Sequence, residues 1–187
     1  MRAADADLLF VPGLGNSGPE HWQTRWQARL STARVVGQSD WSRAELDAWV
    51  ARIVAEVAAS TRPVVLLAHS LGVPAIAHAA AHFEPGRVRG AFLVAPPAED
   101  RILTIDEIDN NFAPFPRAPL PFPSLLIASR NDDYAPYEAS ENLALDWGAL
   151  LVDAGDAGHI NAESGHGPWP EGLMRFAAFL AKLQPPA

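Results

Sequence analysis

Short runs of Val, Leu and Ile without a clean two-residue period recur at Leu8–Val11, Arg34–Val36, Pro63–Ala68, Val88–Ala95, Pro123–Ser129 and Ala149–Asp153. Runs of this length and character predict strands buried on both faces. Between them lie helical patterns. The clearest is Leu46, Trp49, Val50, Ile53, Val54 and Val57, which fall on one face at spacings of three and four, with Ser42 and Glu45 offering a capping box at its start. Ser17 and Glu20 repeat that signal ahead of Trp22, Trp26 and Leu30, and Pro170 opens a last helix carrying Leu173, Phe176, Leu180 and Leu183.

Strand and helix therefore alternate, which predicts an α/β fold: a parallel sheet covered by helices on both faces and joined by right-handed crossovers. Pro97–Pro121 breaks the rhythm. It has room for a short helix near Ile102–Ile108, and its closely spaced prolines then exclude regular structure, so it is expected to be a loop over the sheet edge. The tail LQPPA is expected to fray.

The 187 residues suit a single domain, 1–187, with a substantial core. Acidic residues outnumber basic ones, 22 to 14, and the Lys and Arg are scattered singly, which argues against a nucleic-acid partner. The first apolar run stops at Pro12 and Gly13, too short for a signal peptide, and no stretch could span a bilayer; a cytoplasmic location with no membrane partner is the expectation. Without cysteine, neither a disulfide nor a thiolate nucleophile is available.

In parallel sheets of this kind ligands bind beyond the carboxyl ends of the strands, so the strand exits carry the chemistry. After the third strand comes AHSLG, Ala68 to Gly72, running directly into a helical stretch. Strand, tight turn and helix are what a nucleophile elbow requires: the turn strains the serine backbone and lifts the Ser70 hydroxyl clear of the sheet. Small residues two positions either side let strand and helix approach. The start of the following helix and the Leu71 amide would face an oxyanion formed there. On its own the pentapeptide is also compatible with an ordinary turn, so a base and an acid are needed in the chain order Ser, Asp, His.

The fifth strand exits into Arg130, Asn131, Asp132, Asp133, Tyr134, Ala135 and Pro136. Asp132 is the preferred acid and Asp133 a turn or capping residue; both could also merely cap the next helix. The sixth strand exits into a loop with His159 after Gly158, the preferred base. His166 on the same loop is the serious rival to it, while His21, His69, His78 and His82 sit on or beside other predicted elements. The first strand exits into VPGLGNSG, where Leu14 or Gly15 could turn a second amide toward the serine, and Gly15 and Asn16 could line a pocket. The same glycines match a dinucleotide loop only as a bare pattern, with no acid closing the second strand to hold a ribose. The six tryptophans are mostly at core spacing. Trp41 is the exception and is expected to wall the pocket with Phe112, Phe115 or Tyr134.

These segments together, VPGLGNSGPEHWQTRW, SDWSRAELDAWV, LLAHSLG, LPFPSLLIASRNDDYAP and GDAGHINAESGHGPWPEG, resemble the small serine hydrolase family that contains retinoblastoma-binding protein 9, a compact branch of the α/β-hydrolases. The resemblance covers nearly the whole chain. It implies six parallel strands in the order 2-1-3-4-5-6, no large lid, and Ser70, Asp132 and His159 as a triad. Where the family usually has proline after the acid, this chain has Asp133. The expected activity is hydrolysis of an ester, thioester or amide of a small molecule through an acyl-enzyme, carboxylesterase-like in character, with the amides of Leu71 and Leu14 stabilising the oxyanion and no metal or organic cofactor. The alternative is an interaction module that keeps the scaffold without turnover.

Overall fold

The computed structural model describes residues 1–183; the tail expected to fray lies, from residue 184 on, outside them. Six strands, β1 (Asp7–Val11), β2 (Ala33–Val35), β3 (Val64–His69), β4 (Val88–Val94), β5 (Ser124–Ala128) and β6 (Leu150–Asp153), form one sheet. Every pairing is parallel, as the alternation of elements predicted, and the order is β2-β1-β3-β4-β5-β6, as the family resemblance implied. Observed strand ends fall within a residue of the apolar runs.

Alternation along each strand splits the core into two layers. Leu9, Val11, Leu66, Ala68, Ala91, Leu93, Leu126 and Ala128 point to one face. Leu8, Phe10, Val65, Leu67, Phe92, Val94, Leu125 and Ile127 point to the other. The first face is covered by α2 (Leu46–Ala59), α3 (Gly72–Ala79) and α5 (Tyr137–Trp147), which bury Trp49, Ile53, Val57, Ile76, Leu143 and Trp147 there. The second is covered by α1 (Trp22–Gln27) and α6 (Pro170–Lys182), which bury Trp22, Trp26, Phe176 and Leu180. Leu173, expected on the buried stripe of the last helix, lies toward solvent instead.

Neither capping box forms. Ser42 turns back to Asp40, and α2 begins later, its first amide (Leu46) donating to Asp109 from a distant loop. At α1 the cap is His21, whose Nδ1 accepts the Gln23 amide at 3.2 Å, and the helix stops at Gln27 short of Leu30. At α2 a distant partner replaces the local box, and at α1 the residue next to the helix does.

The Pro-rich segment also differs from expectation. Its helix, α4, is Glu99–Ile102, earlier than the apolar spacing suggested, followed by a 3-10 turn at Asn110–Phe112. Instead of skirting the edge it packs onto the first face, burying Ile102, Ile108, Phe112 and Phe115, and Ile108 bridges to Ala44. Apolar residues between the prolines explain this: they bury more than a solvated loop could leave exposed.

Candidate active site

The exit of β3 is tightly constrained. Ser70 has φ +53°, a left-handed conformation unusual for a side chain of its kind, held by its amide donating to Val94 O at 3.0 Å. Gly72 is essential to the turn: a Cβ there would lie 2.2 Å from Val11 O and 2.7 Å from Pro12 O, so only glycine lets α3 pass this close to β1. Gly13 is its counterpart on the facing loop. A Cβ at Gly13 would meet Ser70 Cβ at 2.9 Å and Leu71 N at 3.3 Å. The backbone of the β1 exit therefore lies directly against the serine.

His159 stands over Ser70. Its Nε2 is 2.9 Å from Ser70 Oγ, and its Nδ1 is 2.9 Å from both carboxylate oxygens of Asp132. A carboxylate can only accept, so Nδ1 carries the proton and Nε2 presents its lone pair to the serine hydroxyl. Asp132 is almost wholly enclosed and also accepts the Tyr134 amide at 2.9 Å, whereas Asp133 is exposed. Of the sequence-nominated residues, Ser70, Asp132 and His159 are thus brought together in series. His166 is not; it bonds Ser164 and packs on Trp169.

The loop bearing His159 is pinned from three sides. Asn131 Oδ1 accepts the Gly158 amide at 2.7 Å and Ser129 Oγ accepts the Ala157 amide at 2.9 Å, tying the acid's loop to the base's loop. Trp22 Nε1 donates to Ile160 O at 3.1 Å, and His69 Nε2 donates to His159 O at 2.8 Å. The core tryptophan therefore has a positioning role that helical spacing alone could not reveal.

Three histidines stand in a row, with ring centroids 4.7 Å apart for His21 and His69 and 4.8 Å for His69 and His159. Burial, reinforced by the charge His159 can carry, holds His69 well below the ordinary imidazole range and lowers His21 to about 4. Both are neutral near pH 7. The other face of His159 meets the Tyr134 ring at 4.3 Å, over which the Arg101 guanidinium sits at 5.4 Å.

A cleft of about 480 Å³ opens beside Ser70. One wall, over the first face of the sheet, is apolar: Leu14, Leu71, Pro97, Ile105 and Ile108. The polar lining carries Asn16, His21, Arg101, Asn161 and Glu163. Leu14, Asn16 and Tyr134 line the cleft as expected; Gly15, Trp41 and Phe112 do not. The Gly15 amide is committed to Trp41 O at 2.8 Å, so it is not available to an oxyanion. Trp41 is half-buried and packs edge-on against Trp49, and Phe112 is fully buried between Trp49 and His78, because large aromatic surface is better covered than left at a cleft mouth. The amides of Leu14 and Leu71 have no acceptor among the described residues. His21, Arg101, Ile105, Asn161 and Glu163 were not legible as site residues, since each reaches the cleft only through the way distant segments fold together; Gly13 carried a signal, as the first glycine beyond a strand.

A 2-1-3-4-5-6 parallel sheet with a strained serine at the β3 turn, a histidine beyond β6 and a carboxylate beyond β5 defines an α/β-hydrolase. Residues 8–178 match the model of the family described as serine hydrolase, and the chain belongs to that family. Among solved structures it is similar to a putative YdeN-like hydrolase from Pectobacterium atrosepticum, at 38% identity over 98% of this chain and 95% of that one, with a TM-score of 0.85. The fold is also that of the ydeN gene product from B. subtilis (20% identity, 95% and 100% covered, TM-score 0.71). It is shared too with Thermogutta terrifontis esterase 2 phosphorylated by paraoxon (19%, 100% and 88%, 0.66). No curated protein matches the chain. No helix among the described residues is long and apolar enough to cross a membrane.

Proposed function

We propose that the chain hydrolyses small carboxylic esters through an acyl-enzyme on Ser70. His159 Nε2 takes the hydroxyl proton as Oγ attacks the carbonyl carbon; Asp132 holds the imidazole in the required tautomer and stabilises the imidazolium. The oxyanion is bound by the amides of Leu71 and Leu14. The imidazolium then returns its proton to the departing oxygen, and water, activated by the same imidazole, releases the acid and restores Ser70. No step needs a metal or cofactor.

The observation that carries this reading is the unbroken line from Asp132 through His159 to Ser70, with both hydrogen-bonded distances at 2.9 Å. The serine opens on the cleft instead of being sealed in the core, which favours turnover over a purely structural scaffold. Ser70→Ala should lower kcat for a short activated ester by a factor on the order of 10⁶ while leaving the melting temperature near that of the parent. Undiminished hydrolysis by folded Ser70→Ala protein would falsify the assignment.

A further inference from the structure

His21 is 6% exposed, its ring lines the cleft, and its Nε2 has no hydrogen-bond partner among the described residues. The other ring nitrogen fixes what Nε2 is. Because Nδ1 accepts the Gln23 amide, it cannot carry a proton, so the neutral ring must carry one on Nε2. A buried N–H donor without an acceptor is unfavourable and rare, and in a family that acts on small molecules the acceptor can come from the substrate.

The rest of the wall has the same character. Asn16 Oδ1 accepts the Ser17 amide at 2.7 Å and Asn161 Oδ1 accepts the Ser164 amide at 2.9 Å. Backbone N–H donors settle which end of each side-chain amide is oxygen, so both Asn residues keep their NH₂ groups as donors. Glu163 lines the same cleft and offsets the charge of Arg101, so neither sign prevails there. Neutral donors in a cleft lined by one acidic and one basic side chain suit an uncharged oxygen acceptor, such as a carbonyl or ether.

We infer that this wall is the leaving-group subsite, and that His21 Nε2–H selects esters whose alcohol half carries a neutral oxygen acceptor, leaving the apolar wall for a short hydrocarbon acyl group. The inference rests on Ser70 acting as the nucleophile. The departing oxygen must receive its proton from His159 Nε2, and Asn161 and Glu163 lie two and four residues beyond that histidine on the same loop. The alcohol therefore departs toward the donor wall. The acyl chain is directed to Leu14, Ile105 and Ile108. His21 stays neutral down to about pH 4, so the preference is independent of pH across the working range of a histidine base.

The test compares 2-methoxyethyl butanoate with its isostere butyl butanoate, which differ by one oxygen for one methylene. Each kcat/KM is divided by the alkaline hydrolysis rate of the same ester, which removes the alcohol's intrinsic reactivity. The parent protein should prefer the methoxyethyl ester about tenfold, the worth of one neutral hydrogen bond. In His21→Asn, where Asn can still cap α1, the preference should fall to about one. A merely structural role for His21 would slow both esters alike and leave the ratio unmoved. Absence of the preference in the parent overturns the inference whether or not the variant folds, and so does its persistence in folded His21→Asn. Fluorophosphonate labelling of the parent on the same samples separates the two readings: labelled Ser70 without the preference removes the subsite alone, and unlabelled Ser70 removes the nucleophile.

Discussion

Asp7 opens β1 at one end of the sheet and Ser70 follows β3 at the other, and the two ends treat polar groups in opposite ways. Asp7 is buried, yet its carboxylate accepts the amides of Thr61 and Arg62 at 3.0 and 3.2 Å and the Arg62 guanidinium at 3.2 Å, with Arg34 3.8 Å away. At the Ser70 end a left-handed serine, two amides without acceptors and an unpartnered imidazole N–H surround the cleft. One end satisfies its charge and stabilises the fold; the other leaves donors free for a substrate, and its strain is tolerated because the rest of the sheet is well packed.

Substitutions at the two ends should therefore separate activity from stability. The largest effect is expected for His159→Ala, a loss on the order of 10⁶ in kcat, comparable with removal of the serine, whereas His166→Ala should be mild. Rates of both folded variants on one activated ester make the comparison, and a severe His166→Ala would move the base to the wrong histidine. Next, Asp132→Asn should lower kcat/KM by roughly 10⁴, because an amide stabilises the wrong imidazole tautomer. Exposed Asp133→Asn should change little. A crippled Asp133→Asn beside an active Asp132→Asn would shift the acid by one residue.

Gly13→Ala sharpens the contrast within the active end. Its methyl would press on Ser70 Cβ and the Leu71 amide, so activity should fall by about 10², in the range for loss of one oxyanion donor. Melting should change far less than rate; an equal loss of both would mean the contact is only structural.

The smallest effect on rate belongs to Asp7→Ala, which should destabilise by about 3 kcal/mol by leaving buried donors unmatched, yet leave kcat of the folded fraction nearly intact. Burial pushes the Asp7 carboxyl up, but the Arg62 and Thr61 amides and the Arg62 and Arg34 guanidiniums together hold it below its ordinary value. A depressed native pKa means the stabilisation is present above the unfolded value of about 3.9 and is lost as pH falls through the native one. Denaturant titrations should show the parent losing more stability than Asp7→Ala as the pH is lowered below about 4. Parallel acid profiles would contradict this.

The four inner strands were legible because strands buried on both faces must be apolar throughout; the runs from Leu8 to Asp153 mark all six within a residue, although the edge strands β2 and β6 are only partly buried. What local pattern could not supply was competition from distant partners. Ser42 is a good cap in isolation, but Asp109 from a distant loop takes that place once the chain has folded; at α1 the adjacent His21 caps while Ser17 Oγ donates to Gln23 Oε1. Trp41 follows a strand exit and Phe112 lies in the Pro-rich segment, but Phe112 is drawn into the core and Trp41 packs against it. The glycine beside the serine and the donor wall depend on how loops 13–23 and 157–166 fold back, a relation between segments far apart in the chain.

The central claim is a covalent intermediate on Ser70, and the direct measurement is peptide mass mapping after brief exposure to a fluorophosphonate. The account predicts one phosphonyl adduct per chain, on the peptide carrying Ser70, absent in Ser70→Ala and formed much more slowly in His159→Ala. An adduct on another residue, or equal labelling of Ser70→Ala, would contradict it.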